Sequence, residues 1–202
     1  MILQIVTLSA FMFFLFPIYA QENVKEPSTG KSFPDQLSFT HDGKDYTLTL
    51  TGVSVRKKLV FKVYGMAHYV DKFTKGSDKE AFNTVMAEGN AKQITMEFAR
   101  DVDAAKIKET YEESFKEHAT GEELKAIKPY LDQFLGFFTQ DVKENDRFVL
   151  RWIPGGTITS TIIGQDKPPL KDAAFARILW SIWLGEDSVV DRDDLVERMI
   201  KE

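Results

Sequence analysis

The stretch GVSVRKKLVFKVYGMAHYV, residues 52–70, decides the fold. It predicts two β-strands joined by a basic turn that contains Lys57 and Lys58. Arg56 falls near the end of the first strand, and Tyr64 falls on the second. Because paired strands hold cross-strand side chains close together, a sheet can direct this arginine and this tyrosine at a common ligand.

Further strands are predicted on both sides of the turn. The predicted strands cover residues 46–51, 59–71, 93–98, 147–153 and 157–163. The first alternates apolar residues with threonine, which is typical of a half-buried strand. The last two flank a Pro-Gly-Gly turn, and this arrangement predicts a β-hairpin.

Helical patterns fill most of the remaining chain. The predicted helices run from Ser77 to about Ala87, from Asp103 through His118, from Thr120 past Pro129 to Phe138, from Asp172 to Leu184, and from Asp191 or Asp194 to the end. Pro129 predicts two short helices or one kinked helix in the third segment. The order of elements indicates an α+β fold, in which an antiparallel β-sheet is packed on one face by a layer of α-helices.

The composition is typical of a soluble globular domain, with 43% hydrophobic and 28% charged residues in a chain of 202. The 16 phenylalanines predict a large aromatic core or an apolar pocket lined by rings. A net charge of −5 argues against nucleic acids and anionic lipid surfaces as partners, because both demand basic patches. The chain has no cysteine, which excludes disulfides and cysteine metal sites.

Residues 1–20 contain no charged side chain and predict a signal peptide, with cleavage expected between Ala20 and Gln21. The alternative is an uncleaved anchor, because the apolar run is about the length that spans a bilayer. The protein is therefore expected to be exported, either periplasmic or secreted, and to meet a membrane only through this leader if it is uncleaved. Residues 21–35 predict a flexible linker, and residues 36–202 a single domain.

Residues 52–70 and a second segment, FARILWSIWLGE at 175–186, resemble the chalcone isomerase superfamily, specifically its bacterial chalcone-isomerase-like branch. The resemblance covers residues 36–201. It implies an open-faced β-sandwich whose ligand cleft lies between the sheet and the helices. Trp180 and Trp183 belong to the signature of this branch, and packing of their helix against the sheet is the simplest role for both.

The resemblance also implies roles for Arg56 and Tyr64. An arginine at this place points into the cleft of family members, and Tyr64 falls where the plant enzymes carry a threonine. Non-catalytic, fatty-acid-binding relatives pair an arginine with a tyrosine to hold a carboxylate. The chemistry suits this role, because a guanidinium offers a planar fork to a carboxylate and a phenol adds one donor. The implied ligand is a fatty acid or a similar small amphipathic carboxylate.

Other assignments of these residues stay open. Arg56 could be a solvated residue at a strand end, and Tyr64 a core residue with a locally bonded hydroxyl. Tyr69 is the second choice of partner for the arginine, although it falls on the opposite strand face from Tyr64. His68 shares the face of Tyr64 and could add a polar group. Tyr111 could stand in for a catalytic residue of the enzymes, because the alignment could slip by one or two residues around Asp101.

The remaining catalytic positions of the plant enzymes differ in this chain. In an ungapped alignment, Glu97 takes the place of a lysine, Ala105 of a tyrosine and Glu112 of an asparagine. These departures favour a non-catalytic binding protein. One alternative is an isomerase or intramolecular lyase on a phenolic or enone substrate, with Arg56 polarising a carbonyl and Tyr64 donating a proton. Another is a partner protein that uses the fold without a ligand.

No cofactor or metal is expected. His41, His68 and His118 have no metal-ligand spacing, and the sequence contains neither a phosphate-binding glycine loop nor a serine elbow.

Overall fold

The structure, a computed structural model, describes residues 22–201, and the predicted signal peptide lies outside them. Seven strands form one antiparallel sheet in which every strand pairs with its neighbour in the chain. These strands are β3 (Gln36–His41), β4 (Lys44–Lys58), β5 (Phe61–Val70), β6 (Lys92–Phe98), β7 (Arg147–Ile153), β8 (Thr157–Ile162) and β9 (Gln165–Lys171). A separate hairpin is formed by β1 (Asn23–Lys25) and β2 (Ser32–Pro34).

Four helices pack on one face of the sheet: α1 (Asp78–Met86), α2 (Ala104–His118), α3 (Gly121–Leu135) and α4 (Ala173–Leu184). The helix α4 is central, because it contacts each of the other three. It is buried on nearly every side, which explains its almost wholly apolar sequence. The predicted α+β class, with helices on one face of an antiparallel sheet, is confirmed.

Two hydrophobic clusters lie on opposite faces of the sheet. Along β5, Met66 belongs to the large cluster beneath the helices, whereas Ala67 and Tyr69 belong to a smaller cluster on the other face. Phe33 of the β1–β2 hairpin is fully buried in this smaller cluster. Residues 22–35 are therefore not the flexible linker that their polar composition predicts, because one phenylalanine anchors the hairpin against the sheet.

The last predicted helix is also absent from the described residues. After Asp191 the chain forms turns and a short 3-10 helix, Glu197–Met199. The reason is tertiary: the hydroxyl of Thr51 on β4 donates a 2.6 Å hydrogen bond to the carbonyl of Leu195, an oxygen that an α-helix would use for its own backbone.

The helix α3 settles the alternative left open by Pro129, and the start of α2 differs from the expectation. α3 is a single element with Pro129 inside it, on a solvent-exposed position where water can bond the carbonyl that lacks an N–H partner. Asp103 makes no side-chain capping bond; Asp141 instead accepts from the N–H of Ala104 at 3.0 Å.

Among residues 22–201, no helix is both long enough and apolar enough to span a bilayer.

Candidate functional site

A cavity of about 600 Å³ lies between the sheet and the helices α2 and α4. Its buried wall is largely apolar and comes from the sheet and both helices. The buried apolar members of this wall are Met96, Phe98, Ile107, Phe148 and Ile182. This volume falls within the range of roughly 300–1,000 Å³ that small-molecule sites occupy.

Arg56 and Tyr64 are direct cross-strand partners on β4 and β5, and both line the cavity. A β-bulge follows Arg56, where the pairing register shifts before Lys57. The Arg56 Nη1 donates a 2.6 Å hydrogen bond to the carbonyl oxygen of Val189, in the segment after α4. This bond holds one end of the guanidinium and leaves its other N–H groups without a hydrogen-bond partner among residues 22–201.

The Tyr64 hydroxyl accepts a 2.9 Å hydrogen bond from the indole Nε1 of Trp183 on α4. Because the indole supplies that proton, the tyrosine keeps its own proton for another acceptor. Burial raises the pKa of Tyr64, and this effect outweighs the opposing effects of the Trp183 bond and the Arg56 charge. The phenol therefore stays protonated at neutral pH and can act as a donor.

Tyr111 on α2 completes this polar group. Its ring stacks on Phe138 with the centroids 5.2 Å apart, and it meets Trp183 edge-on at 6.2 Å. Burial raises the pKa of Tyr111 well above the usual range, and the neighbouring Tyr64 raises it further. The Tyr111 hydroxyl has no hydrogen-bond partner among residues 22–201. Three donors, from Arg56, Tyr64 and Tyr111, therefore gather in one part of a largely apolar wall, to which Thr110 and Ser114 add two hydroxyl groups.

The exposed lining residues mark the mouth of the cavity. They come from the turn between β4 and β5 and from the segment before α2. The exposed members are Lys58, Leu59, Phe61, Arg100, Asp101 and Asp103. The mouth therefore carries charges of both signs beside apolar side chains.

His68 does not line the cavity, contrary to the suggestion from its strand face. It is fully buried, with Nδ1 2.7 Å from the hydroxyl of Thr51 and Nε2 accepting from the indole of Trp180 at 3.2 Å. Burial, with a smaller effect from the charge of Lys92, lowers the pKa of His68 to about 3. The ring is thus a neutral component of the core.

Tyr69 also lies away from the cavity. It is fully buried in the smaller cluster, on the face of the sheet opposite to Tyr64. Burial raises the pKa of its hydroxyl. The strand alternation that made Tyr69 a second choice therefore places it out of reach of Arg56.

Apart from Tyr64, the positions that differ from the plant enzymes also lie away from the cavity wall. Glu97 alternates with two lining residues of β6 and forms ion pairs with Lys31 at 3.3 Å and Arg147 at 2.6 Å. Ala105 and Glu112 are exposed residues of α2 that do not line the cavity. Tyr111, next to Glu112 in the chain, does line it.

Two contributors to the site were missed by the sequence analysis. Trp183 packs in the core as expected, but its indole also holds the Tyr64 hydroxyl. The three-residue spacing of Trp180 and Trp183 places both on one side of α4, a signal that could have suggested parallel roles. Val189 acts through a backbone carbonyl, and no side-chain pattern reveals this. No group of metal-binding residues is found within the described chain.

Comparison with known proteins supports the fold and the family. A search of the curated proteins found no match. Among solved structures, the chain is similar to the Arabidopsis thaliana fatty-acid binding protein AtFAP1, with 21% sequence identity and a TM-score of 0.68. The alignment covers 88% of this chain and 97% of the plant protein, and at this identity it shows a shared fold. The chalcone isomerase-like family model matches residues 27–200, which include the second strand of the β1–β2 hairpin. The chain therefore belongs to the chalcone isomerase-like family.

Proposed function

We propose that this protein binds, without catalysis, a fatty acid or a similar small amphipathic carboxylate. The observation that carries the proposal is the grouping of three hydrogen-bond donors, from Arg56, Tyr64 and Tyr111, within a largely apolar cavity of about 600 Å³. The similar plant protein AtFAP1 is a fatty-acid binding protein, which supports the same class of ligand.

The headgroup assignment follows from the bonds that the donors already make. Arg56 uses one nitrogen for Val189, and Tyr64 receives rather than gives its bond with Trp183. A carboxylate placed between them can accept a charge-assisted bond from the guanidinium and a second bond from the phenol. The Tyr64 hydroxyl keeps its own proton because Trp183 donates to it, and the carboxylate accepts that proton. A buried polar group needs such a hydrogen-bond partner.

The remainder of the cavity suits a hydrocarbon chain. Its buried wall consists mainly of aromatic and aliphatic side chains. Each methylene group of a ligand that is buried against this wall stabilises the complex by about 0.8 kcal/mol. Phe98 and Phe148 meet edge-on at 4.8 Å on neighbouring strands, which gives this wall a fixed aromatic floor. A ligand with one carboxylate and an apolar tail matches both parts.

Replacement of the arginine tests the headgroup assignment. We expect Arg56→Gln to weaken binding of lauric and palmitic acid by about 10- to 100-fold, since a charge-assisted bond to a carboxylate contributes about 1.5–3 kcal/mol. Glutamine keeps an N–H donor for the Val189 carbonyl, so the local backbone has a partner. Isothermal titration calorimetry of the purified wild type and the Arg56→Gln variant gives their affinities for each acid.

Arg177→Gln is the matched control for the loss of one arginine. Arg177 forms an ion pair with Glu123 between α4 and α3 and does not line the cavity. This variant should bind both acids with the wild-type affinity. Equal affinities of wild type and Arg56→Gln would refute the headgroup assignment. Turnover of a chalcone by wild type, lost in Arg56→Gln, would favour the isomerase instead, with Arg56 polarising a carbonyl and Tyr64 as the proton donor.

We also propose export, on the basis of the uncharged apolar segment at residues 1–20. The mass of the protein recovered from the periplasm or the culture medium should match a chain that begins at Gln21. Recovery of the intact chain in the membrane fraction would support the anchor, and recovery in the cytoplasm would refute export.

A further inference from the structure

We propose that the turn between β4 and β5 is a membrane-docking tip that brings the cavity mouth to an anionic lipid surface. The tip is defined as residues 57–62, KKLVFK. The inference rests on the proposed function, because docking at a lipid surface would serve a carrier of amphipathic carboxylates.

The tip exposes three consecutive apolar side chains. Leu59 is 90% exposed, Val60 85% and Phe61 55%, and they are the large hydrophobic residues that the described part of the chain leaves in solvent. Leu59 adopts φ of 55°, a left-handed conformation that glycine or asparagine occupies at lower cost. A leucine here serves neither the core nor the turn geometry. A contiguous exposed apolar group of this kind is typical of an interaction surface.

The charge around these side chains selects the partner. Lys57, Lys58 and Lys62 flank the three apolar residues, and the tip contains no acidic residue. Arg100 adds a fourth cation, 4.8 Å from the centre of the Phe61 ring. Apolar side chains bordered by lysines fit a bilayer with anionic headgroups, because the rings and aliphatic groups enter the interface while each nearby lysine contributes about 1 kcal/mol of attraction.

The acidic groups beside the mouth do not cancel this local charge. Asp101 is paired with Lys143 at 3.1 Å, and Glu109 is paired with Lys106 at 2.6 Å. Of the acidic residues that line the mouth, only Asp103 has no ion pair among the described residues. The net charge of −5, which argued against anionic lipids, describes the whole chain and does not describe this surface.

The tip is continuous with the cavity. Lys58, Leu59 and Phe61 line the mouth, and Arg56 lies three residues before Leu59 on the same strand and turn. A tail that leaves the cavity at this point passes directly from protein side chains to lipid chains. A docked tip therefore shortens the path through water that an apolar tail would otherwise cross.

Vesicle sedimentation tests the proposal. The probes are phosphatidylcholine vesicles with and without about 30% phosphatidylglycerol. We expect Leu59→Asn/Val60→Ser to bind the anionic vesicles about tenfold more weakly than wild type. Asparagine accepts the left-handed conformation and both side chains are exposed, so this variant should fold. We expect a similar loss for Lys57→Glu/Lys58→Glu, and weaker wild-type binding in high salt.

Lys116→Glu/Lys125→Glu is the matched control, because it reverses two exposed lysines on α2 and α3 that do not line the cavity. All variants carry the same N terminus, so any affinity of residues 1–20 for lipid cancels in the ratios. Equal binding of Leu59→Asn/Val60→Ser and wild type to anionic vesicles overturns the proposal. Equal binding of the wild type to neutral and to anionic vesicles overturns the anionic part. A wild-type dimer that this variant converts to a monomer, without vesicle binding by either, assigns the tip to self-association and also overturns the proposal.

The two proposals fail separately. Titration with lauric acid in the absence of vesicles tests the cavity, and sedimentation in the absence of fatty acid tests the tip. Binding of the acid without any tip-dependent vesicle binding would refute docking and leave the carrier function standing. Tip-dependent vesicle binding by a protein that binds no carboxylate would refute the carrier function.

Discussion

Gly52→Ala is expected to lower the free energy of unfolding by more than about 4 kcal/mol, or to prevent folding. A Cβ at this position would lie 2.0 Å from the carbonyl oxygen of Asp194 and 2.7 Å from the carbonyl carbon of Leu195. Both are backbone atoms, so no rotation of a side chain relieves the overlap. Gly52 does not have a left-handed φ, so close approach of the two chain segments is the cause of the effect.

The overlap matters because the segment after α4 is held at this point of β4. The register of β4 against β5 shifts between Leu50 and Gly52, and Thr51 in the shift donates to the Leu195 carbonyl. Leu195 is fully buried in the main core cluster. Displacing this segment would expose its apolar residues and break the bond that places them. It would also disturb Val189, the partner of Arg56.

Gly89→Ala is the control, because a Cβ there meets no atom within 4 Å and the residue has no left-handed φ. Urea unfolding of wild type and both variants, followed by tryptophan fluorescence, gives the free energies. Gly89→Ala should stay within about 0.5 kcal/mol of wild type. A Gly52→Ala protein with wild-type stability would contradict the close approach of the two segments.

Much of the fold could be predicted because its signals are local. The strand around Leu48 and Leu50 alternates cleanly, and the serine and threonine capping boxes at Ser77 and Thr120 are both present in the structure. Signals that depend on distant partners failed. The polar composition of residues 22–35 gave no hint that Phe33 is buried. A helix after Asp191 is plausible until the contact with β4 is known.

The candidate site was likewise predictable where local strand pattern determines it, and not where distant contacts do. The turn at Leu59 and Val60 pairs Arg56 with Tyr64, and strand alternation correctly separated Tyr69 from them. Alternation could not tell how far along the strand the cavity extends. His68 shares the face of Tyr64 but lies four residues further on, about 13 Å along the strand. There α4 covers the sheet and excludes a ligand.

The two indoles of α4 explain why neighbouring polar residues on β5 have different roles. Trp183 donates to Tyr64 at the cavity, and Trp180 donates to His68 in the core. The tyrosine keeps a proton for a ligand after receiving its bond. The histidine has both nitrogens engaged within the protein. The same donor chemistry thus leaves one residue available for binding and makes the other structural.

Acidification is expected to destabilise the protein through His68, by about 1.4 kcal/mol for each pH unit below 6.5 and about 2 kcal/mol in total at pH 5. In the unfolded chain the imidazole binds a proton below its ordinary pKa of 6.5, whereas burial lowers the pKa of His68 in the folded protein to about 3. The unfolded state therefore binds more protons between these values, so the free energy of unfolding falls as the pH falls.

The bonds of His68 explain why the folded protein resists this proton. Nε2 accepts the indole N–H of Trp180, so the single ring proton lies on Nδ1 and is donated to Thr51. A proton on Nε2 would face the Trp180 proton in a fully buried site. The charge of Lys92 adds a smaller penalty. Burial also lowers the pKa of Lys92, to about 7, so the pH dependence due to Lys92 falls mainly above neutral pH.

His68→Gln isolates this effect, because the glutamine amide can accept from Trp180 and donate to Thr51 but does not titrate. Urea unfolding at about pH 7 and about pH 5 should show a loss near 2 kcal/mol for wild type and a much smaller loss for the variant, since carboxylates titrate mostly below this window. The variant is expected to be less stable than wild type at neutral pH, because its shape differs from that of the ring. The difference between the two pH values is therefore the informative quantity. Equal losses in both proteins would show that His68 is not the group that titrates, and would place the acid sensitivity elsewhere in the fold.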